Sequence, residues 1–291
     1  MAKILDATHD GKGDGLMKKL LKIELVKTLN YASFKVILIL HFLLFLLVIF
    51  VASQIEITVP GFNMKNLFQF PHVWESFSWM ASWFNLLLAI LLMVLVSNEF
   101  SFHTFRQHII TGLSRNDLVI GKGIIIFTVA LYGVLLVLLT STIFGIIFTS
   151  DFSFSIIFEK SYLLIVYFIQ AIGYMTMGFF LAVLFRNTAL SIIMYLLYFL
   201  LIEPIIRLLF PKEIRQYFPF KIISSLTPRP EFLSVTSEES MLDVTGQGNF
   251  NLDTIRITPE SLPMSVTIPL AMVYIGIFVF LIFLLVRKRD L

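Results

Sequence analysis

The sequence predicts an all-α polytopic membrane protein with six transmembrane helices, and three observations carry that prediction. Uncharged apolar runs recur six times, each near the ~20 residues that a helix needs to cross ~30 Å of hydrocarbon at ~1.5 Å per residue. Of 291 residues, 58% are apolar and 31 are phenylalanine, with a mean hydropathy of +0.90. A water-soluble domain of that composition could not cover its surface with polar groups.

Residues 1–15, with three glycines and alternating charge, read as a disordered leader. Leu16–Phe34 mixes Leu20, Leu21, Ile23, Leu25, Val26 and Leu29 with Lys18, Lys19, Lys22 and Lys27. That mixture predicts an interfacial helix whose lysine stems reach toward anionic headgroups, and a basic flank of the first span fits it nearly as well. From there, residues 16–291 form a single transmembrane domain. Its spans cover about 36–53, 76–98, 123–150, 161–185, 187–210 and 261–286. The first run starts at Val36, is long enough to span, and lacks a small-residue cleavage site, so no signal peptide is expected.

The first external loop carries Pro60, Gly61, Pro71 and Trp74, which with Trp79 and Trp83 predict an aromatic belt at the outer interface. A short turn at Asp151 joins spans three and four, and Arg186-Asn187 joins four and five. Ser141 with Gly145, and Gly178 with Ala182, are small residues four apart that let helices approach closely in lipid. The external segment 211–260 is the longest polar region, and prolines 211, 219, 228, 230, 259 and 263 in and beside it exclude one long helix. Pro211–Ser225 is expected as a short interfacial helix.

Six spans put both termini on one side. Lysines 3, 12, 18, 19, 22, 27 and 35, with Arg106, Arg115, Lys122, Arg186, Arg287, Lys288 and Arg289, lie on that side. Basic residues concentrate on cytoplasmic loops, so both termini are expected in the cytoplasm of a multi-pass plasma (inner) membrane protein. Each basic cluster abuts an apolar span, which argues for the bilayer and against nucleic acid as its partner.

Cysteine is absent, which excludes disulfides and thiolate chemistry, and the five histidines do not cluster as a metal site requires. No H-E-x-x-H, G-x-S-x-G or G-x-x-x-x-G-K-[ST] pattern occurs, so neither an active site nor a phosphate cradle has an anchor. No catalytic residue and no cofactor is therefore assigned to this chain. His41, Asn85 and Gln170, alone within spans, are read as interhelical hydrogen-bonding groups.

Two polar features remain. The loop Glu99–Lys122 predicts a short amphipathic helix over Ser101–Ile110, ended by Gly112, with Ser114 capping the next span. Phe102, Phe105 and Ile109 would then be exposed to a groove on a partner. The second feature is Glu203-Pro204 with Arg207. The acid and base lie four apart on one helix face and can neutralise each other, and the proline would kink or end the fifth span. Ionisable groups at membrane depth default to functional hypotheses, so the trio is either an interfacial ion pair or part of an outer gate.

The arrangement resembles the type-2 ABC transporter permease family, in which an N-terminal elbow helix precedes six spans and a coupling helix joins spans two and three. Glu99, Thr104, Ser114-Arg115 and Lys122 stand at the family's acidic, threonine, Ser-Arg and lysine positions, and His103 replaces its usual glycine. The resemblance covers the whole chain in topology and this loop in motif. It implies an ATPase-coupling surface of Glu99, Phe102, His103, Thr104, Phe105, Arg106, Gln107, Ile109 and Arg115. It also implies a separate ATPase dimer that binds ATP and Mg, a second permease subunit of the same or a homologous kind, and export of a lipid-like, peptide or other amphipathic substrate. The alternatives are an ion-coupled carrier or channel using Glu203, and a membrane scaffold without transport.

Overall fold

Inside hydrocarbon the backbone has no water to bond, so a chain with this pattern satisfies its N–H and C=O groups within helices. The structure, a computed structural model, describes residues 24, 26–55, 58–59, 62–102, 114–150, 154–230 and 262–288. Residues 26–30 are helical and precede α1 (Ala32–Gln54). A minimal antiparallel pair follows, β1 (Thr58–Val59) and β2 (Phe62–Asn63), then a 3-10 turn, Met64–Phe68. Next come α2 (His72–Ser101), α3 (Arg115–Phe148), α4 (Phe154–Phe158), α5 (Leu163–Phe185) and α6 (Thr188–Leu197). A π-helical turn, Tyr198–Ile202, runs into α7 (Glu203–Leu208), and α8 (Lys212–Arg215), α9 (Pro219–Ser224) and α10 (Met264–Lys288) complete the chain.

Six helices are long and apolar enough to cross a membrane: Ala32–Gln54, His72–Ser101, Arg115–Phe148, Ile156–Phe185, Thr188–Leu208 and Met264–Lys288. They fall on the six apolar runs, with ends displaced where capping outweighs hydropathy. The third starts at Arg115 because Ser114 forms a capping box: its Oγ accepts from the Asp117 N–H at 3.1 Å, and Asp117 accepts from the Ser114 N–H at 2.9 Å. The expectation for Ser114 is thus met.

The fourth span, through α5, sits at the centre and packs against α2, α3, α6 and α10, most extensively against α2. Lipid tails are as apolar as leucine, so close packing rather than hydrophobicity holds such helices together. A Cβ on Gly178 would lie 3.1 Å from the Ala89 carbonyl oxygen, so the missing side chain lets α5 and α2 approach. In α3, a Cβ on Gly145 would lie 2.4 Å from the Phe70 ring, which occupies that space. Asn85 donates to Gln170 Oε1 at 3.4 Å across the α2–α5 contact, the interhelical role expected of both residues.

Four expectations change. Tyr31, extended at φ −79° and ψ 121°, separates residues 26–30 from α1, so the stretch ending at Phe34 is not one helix. Pro211–Ser225 is two short helices, and the second buries Phe220, Ile222 and Ile223 against α5 and α10 instead of lying at an interface. Trp74 is buried and donates its indole N–H to the Ile157 carbonyl at 2.6 Å, which takes it out of the aromatic belt; Trp83 remains exposed. Pro204 does not end the fifth span. Proline cannot donate to the preceding turn, and the helix accommodates it by widening, with the Glu203 N–H bonding Tyr198 O five residues back. The leader 1–15, most of the 101–110 helix and residues 231–261 lie outside the described residues.

Candidate functional site

Both anchors of the 103–113 loop belong to one buried charge cluster. Glu99 lies in the last turn of α2, Lys122 is two turns into α3, and Glu24 and Lys27 come from the segment before α1. The Lys122 ammonium donates to Glu99 at 2.5 Å and to Glu24 at 2.6 Å, while Lys27 sits 2.6 Å from Glu99. Lys122, Glu99 and Glu24 are 2%, 5% and 4% exposed, so the ions face one another and not water. Among the described residues, two carboxylates face two ammonium groups, and their charges balance. That balance is what makes such burial tolerable, since an unpaired ion there would cost several kcal/mol. Gly121 makes room for it, because a Cβ there would press on the Glu24 side chain at 3.1 Å.

Neighbouring contacts extend the cluster. Asn98 donates to the Tyr31 hydroxyl and accepts from Thr188 at 3.3 Å, joining the N-terminal segment to α2 and α6. Arg186, left-handed at φ 52°, ends α5 and holds its guanidinium 5.3 Å from the Phe100 ring. Arg115 donates to the carbonyls of Val286 at 3.2 Å and Arg287 at 2.9 Å, tying the start of α3 to the end of α10.

Of the residues expected at the coupling surface, Glu99 is in the cluster, Phe102 is 68% exposed just beyond it, and Arg115 is turned to α10. His103, Thr104, Phe105, Arg106, Gln107 and Ile109 lie outside the described residues. The sequence pattern gives Glu24 no role and points Lys27 at headgroups, whereas Lys27 pairs with Glu99 in the structure. A signal existed: Glu24 is the sole acid within Leu16–Lys35, among five lysines.

At the other end of the bundle, Glu203 is 1% exposed and does not form the expected ion pair with Arg207 within 4 Å among the described residues. Its carboxylate accepts instead from the N–H groups of Phe220 at 3.0 Å and Lys221 at 2.7 Å, the orphan donors at the start of α9. Gln170 serves the opposite end of that helix, donating to Ile223 O at 3.1 Å and Ser224 O at 3.2 Å. Burial, with the positive charges of Arg207 and Arg229 nearby, pulls the Lys221 ammonium below its usual range. Compared with known proteins, the chain matches no family model and no curated sequence. The reading therefore rests on these contacts.

Proposed function

We propose that this chain is the permease subunit of an ATP-driven transporter of the type-2 ABC kind, an exporter of a lipid-like, peptide or other amphipathic substrate. A separate ATPase dimer, holding ATP and Mg, docks on the loop between the second and third spans. A second permease subunit, identical or homologous, shares the transport path. This chain then contributes no catalytic residue and no cofactor.

The observation that carries the reading is the Glu24–Lys27–Glu99–Lys122 cluster. A docking loop transmits force only if both of its ends are fixed to elements that move together. Here the end of α2, the start of α3 and the N-terminal segment share one set of ion pairs, so a push on the loop reaches all of them. The exposed Phe102 offers an apolar foothold beside that rigid base. The carrier alternative asks Glu203 to exchange protons or ions, and its carboxylate is already occupied as a structural cap.

The test is affinity purification of the tagged chain from its native membrane in mild detergent, with ATP hydrolysis measured in the eluate. Wild type and an Asn66→Asp control at the opposite end should elute with the same ATPase activity, and Phe102→Asp should lose most of it. Equal hydrolysis in the Phe102→Asp eluate would remove the docking assignment.

A further inference from the structure

An apolar cleft of about 420 Å³ opens between α3, α5 and α10, toward the end of the bundle that bears the ion cluster. Val119, Gly123 and Phe127 of α3, Thr176 and Phe179 of α5, and Phe283 of α10 line it. Its volume falls within the ~300–1,000 Å³ of small-ligand sites. A wall of hydrocarbon offers a polar solute nothing to bond, and Thr176, its one side-chain hydroxyl among these, is 1% exposed. Ile120 and Phe127, at 40% and 55% exposed, mark its open side on the outer surface of the bundle. In a membrane, acyl chains and neighbouring helices both reach such a surface, and the rim decides between them.

The rim supplies the second half of a lipid. Arg287 and Lys288 are exposed and stand about one turn beyond Phe283, ~6 Å along the axis. Arg287 donates to the carboxamide oxygen of Asn116 at 3.1 Å, an acceptor that orients the guanidinium without cancelling its charge. With the Arg115 bonds to the end of α10, this contact holds α3 and α10 together directly past the cleft. Asp117, the acid in the same first turn of α3, is engaged by Ser114. Apolar groove and basic mouth are thus in register, the arrangement by which helix ends hold anionic headgroups.

We propose that this cleft binds one anionic phospholipid, its acyl chain seated along Gly123 and its phosphate on Arg287 and Lys288. Gly123 is the door: a Cβ there would meet nothing within 4 Å, so the space beside it is kept open by the absence of a side chain. The inference does not depend on the transport reading.

Thermal unfolding of the delipidated protein in detergent, titrated with phosphatidylglycerol or phosphatidylcholine, tests it. Phosphatidylglycerol at about a hundredfold excess over its dissociation constant should raise the midpoint by roughly 4 °C, and the rise should grow with the logarithm of its concentration. Phosphatidylcholine should give at most a small part of that. A Cβ at Gly123 meets nothing within 4 Å, so Gly123→Leu should reach into the cleft, keep or modestly raise the lipid-free midpoint, and lose most of the rise. Arg287→Gln/Lys288→Gln should lose most of it too, and this variant decides the matter if Gly123→Leu proves unstable. Equal stabilisation by both lipids, or a full phosphatidylglycerol response in either variant, overturns the proposal.

Discussion

Lys122 shows how one side chain ties sequence to mechanism here. Its ammonium lies within hydrogen-bonding distance of two carboxylates in a pocket that admits almost no water. Removing it deprives Glu24 and Glu99 of the ammonium they share, and breaking a buried pair costs about 3–5 kcal/mol. Lys122→Met should therefore unfold at a markedly lower temperature than wild type. Glu99→Gln/Lys122→Met removes both ends of the 2.5 Å pair and should lose less than the two single variants summed, a coupling that a double-mutant cycle measures. Additive losses would mean that the two ions do not act as a unit. Glu99 and Lys122 were legible from their places flanking the loop. Their partners were harder to read, because pairing across a sequence separation of 98 residues depends on helix packing, which hydropathy does not encode. The same limit explains Glu203. Spacing of four residues made Arg207 its obvious partner, yet a carboxylate gains more from two backbone N–H donors that burial leaves with no other acceptor.

At the scale of elements, α9 is the part that spacing could not reveal. Pro211 and Pro219 each open a short helix among the described residues, but prolines could not say that six residues would turn inward. A helix that short is marginal alone. It persists because Glu203 satisfies one end, Gln170 the other, and Gly173 leaves space for Ile223, whose Cγ2 would lie 2.9 Å from a Cβ at that position. Gly173→Leu should thus push α9 outward, an overpacking that costs about 1–3 kcal/mol. That shift raises an open population about 5- to 150-fold. The absence of native cysteine makes the measurement clean. A single Ile222→Cys, buried in wild type, should react slowly with a water-soluble maleimide and much faster once Gly173→Leu is added. An unchanged rate would show that α9 is held by something other than this packing. The spans themselves were legible because length and hydropathy suffice to find them. Their ends were not, since the third begins where a serine–aspartate capping box places it.

For the whole molecule, the question is which side of the membrane the ion cluster faces. If the six long apolar helices each cross, Glu99, Phe102 and the end of α10 lie at one end of the bundle, and Asn66, Glu203 and α9 at the other. Lysine and arginine accumulate at the first end, and on the positive-inside rule we propose that this end faces the cytoplasm. ATP is available to a docking partner only there, so the transport proposal and the topology stand or fall together. Two single-cysteine variants separate the sides: both Asn66 and Phe102 are exposed, and no other cysteine competes. A membrane-impermeant maleimide applied to intact cells should label Asn66→Cys and leave Phe102→Cys untouched until the membrane is opened. Labelling of Phe102→Cys from outside would invert the chain. The cluster could then still brace the helices, but it could not brace them against a nucleotide-driven engine.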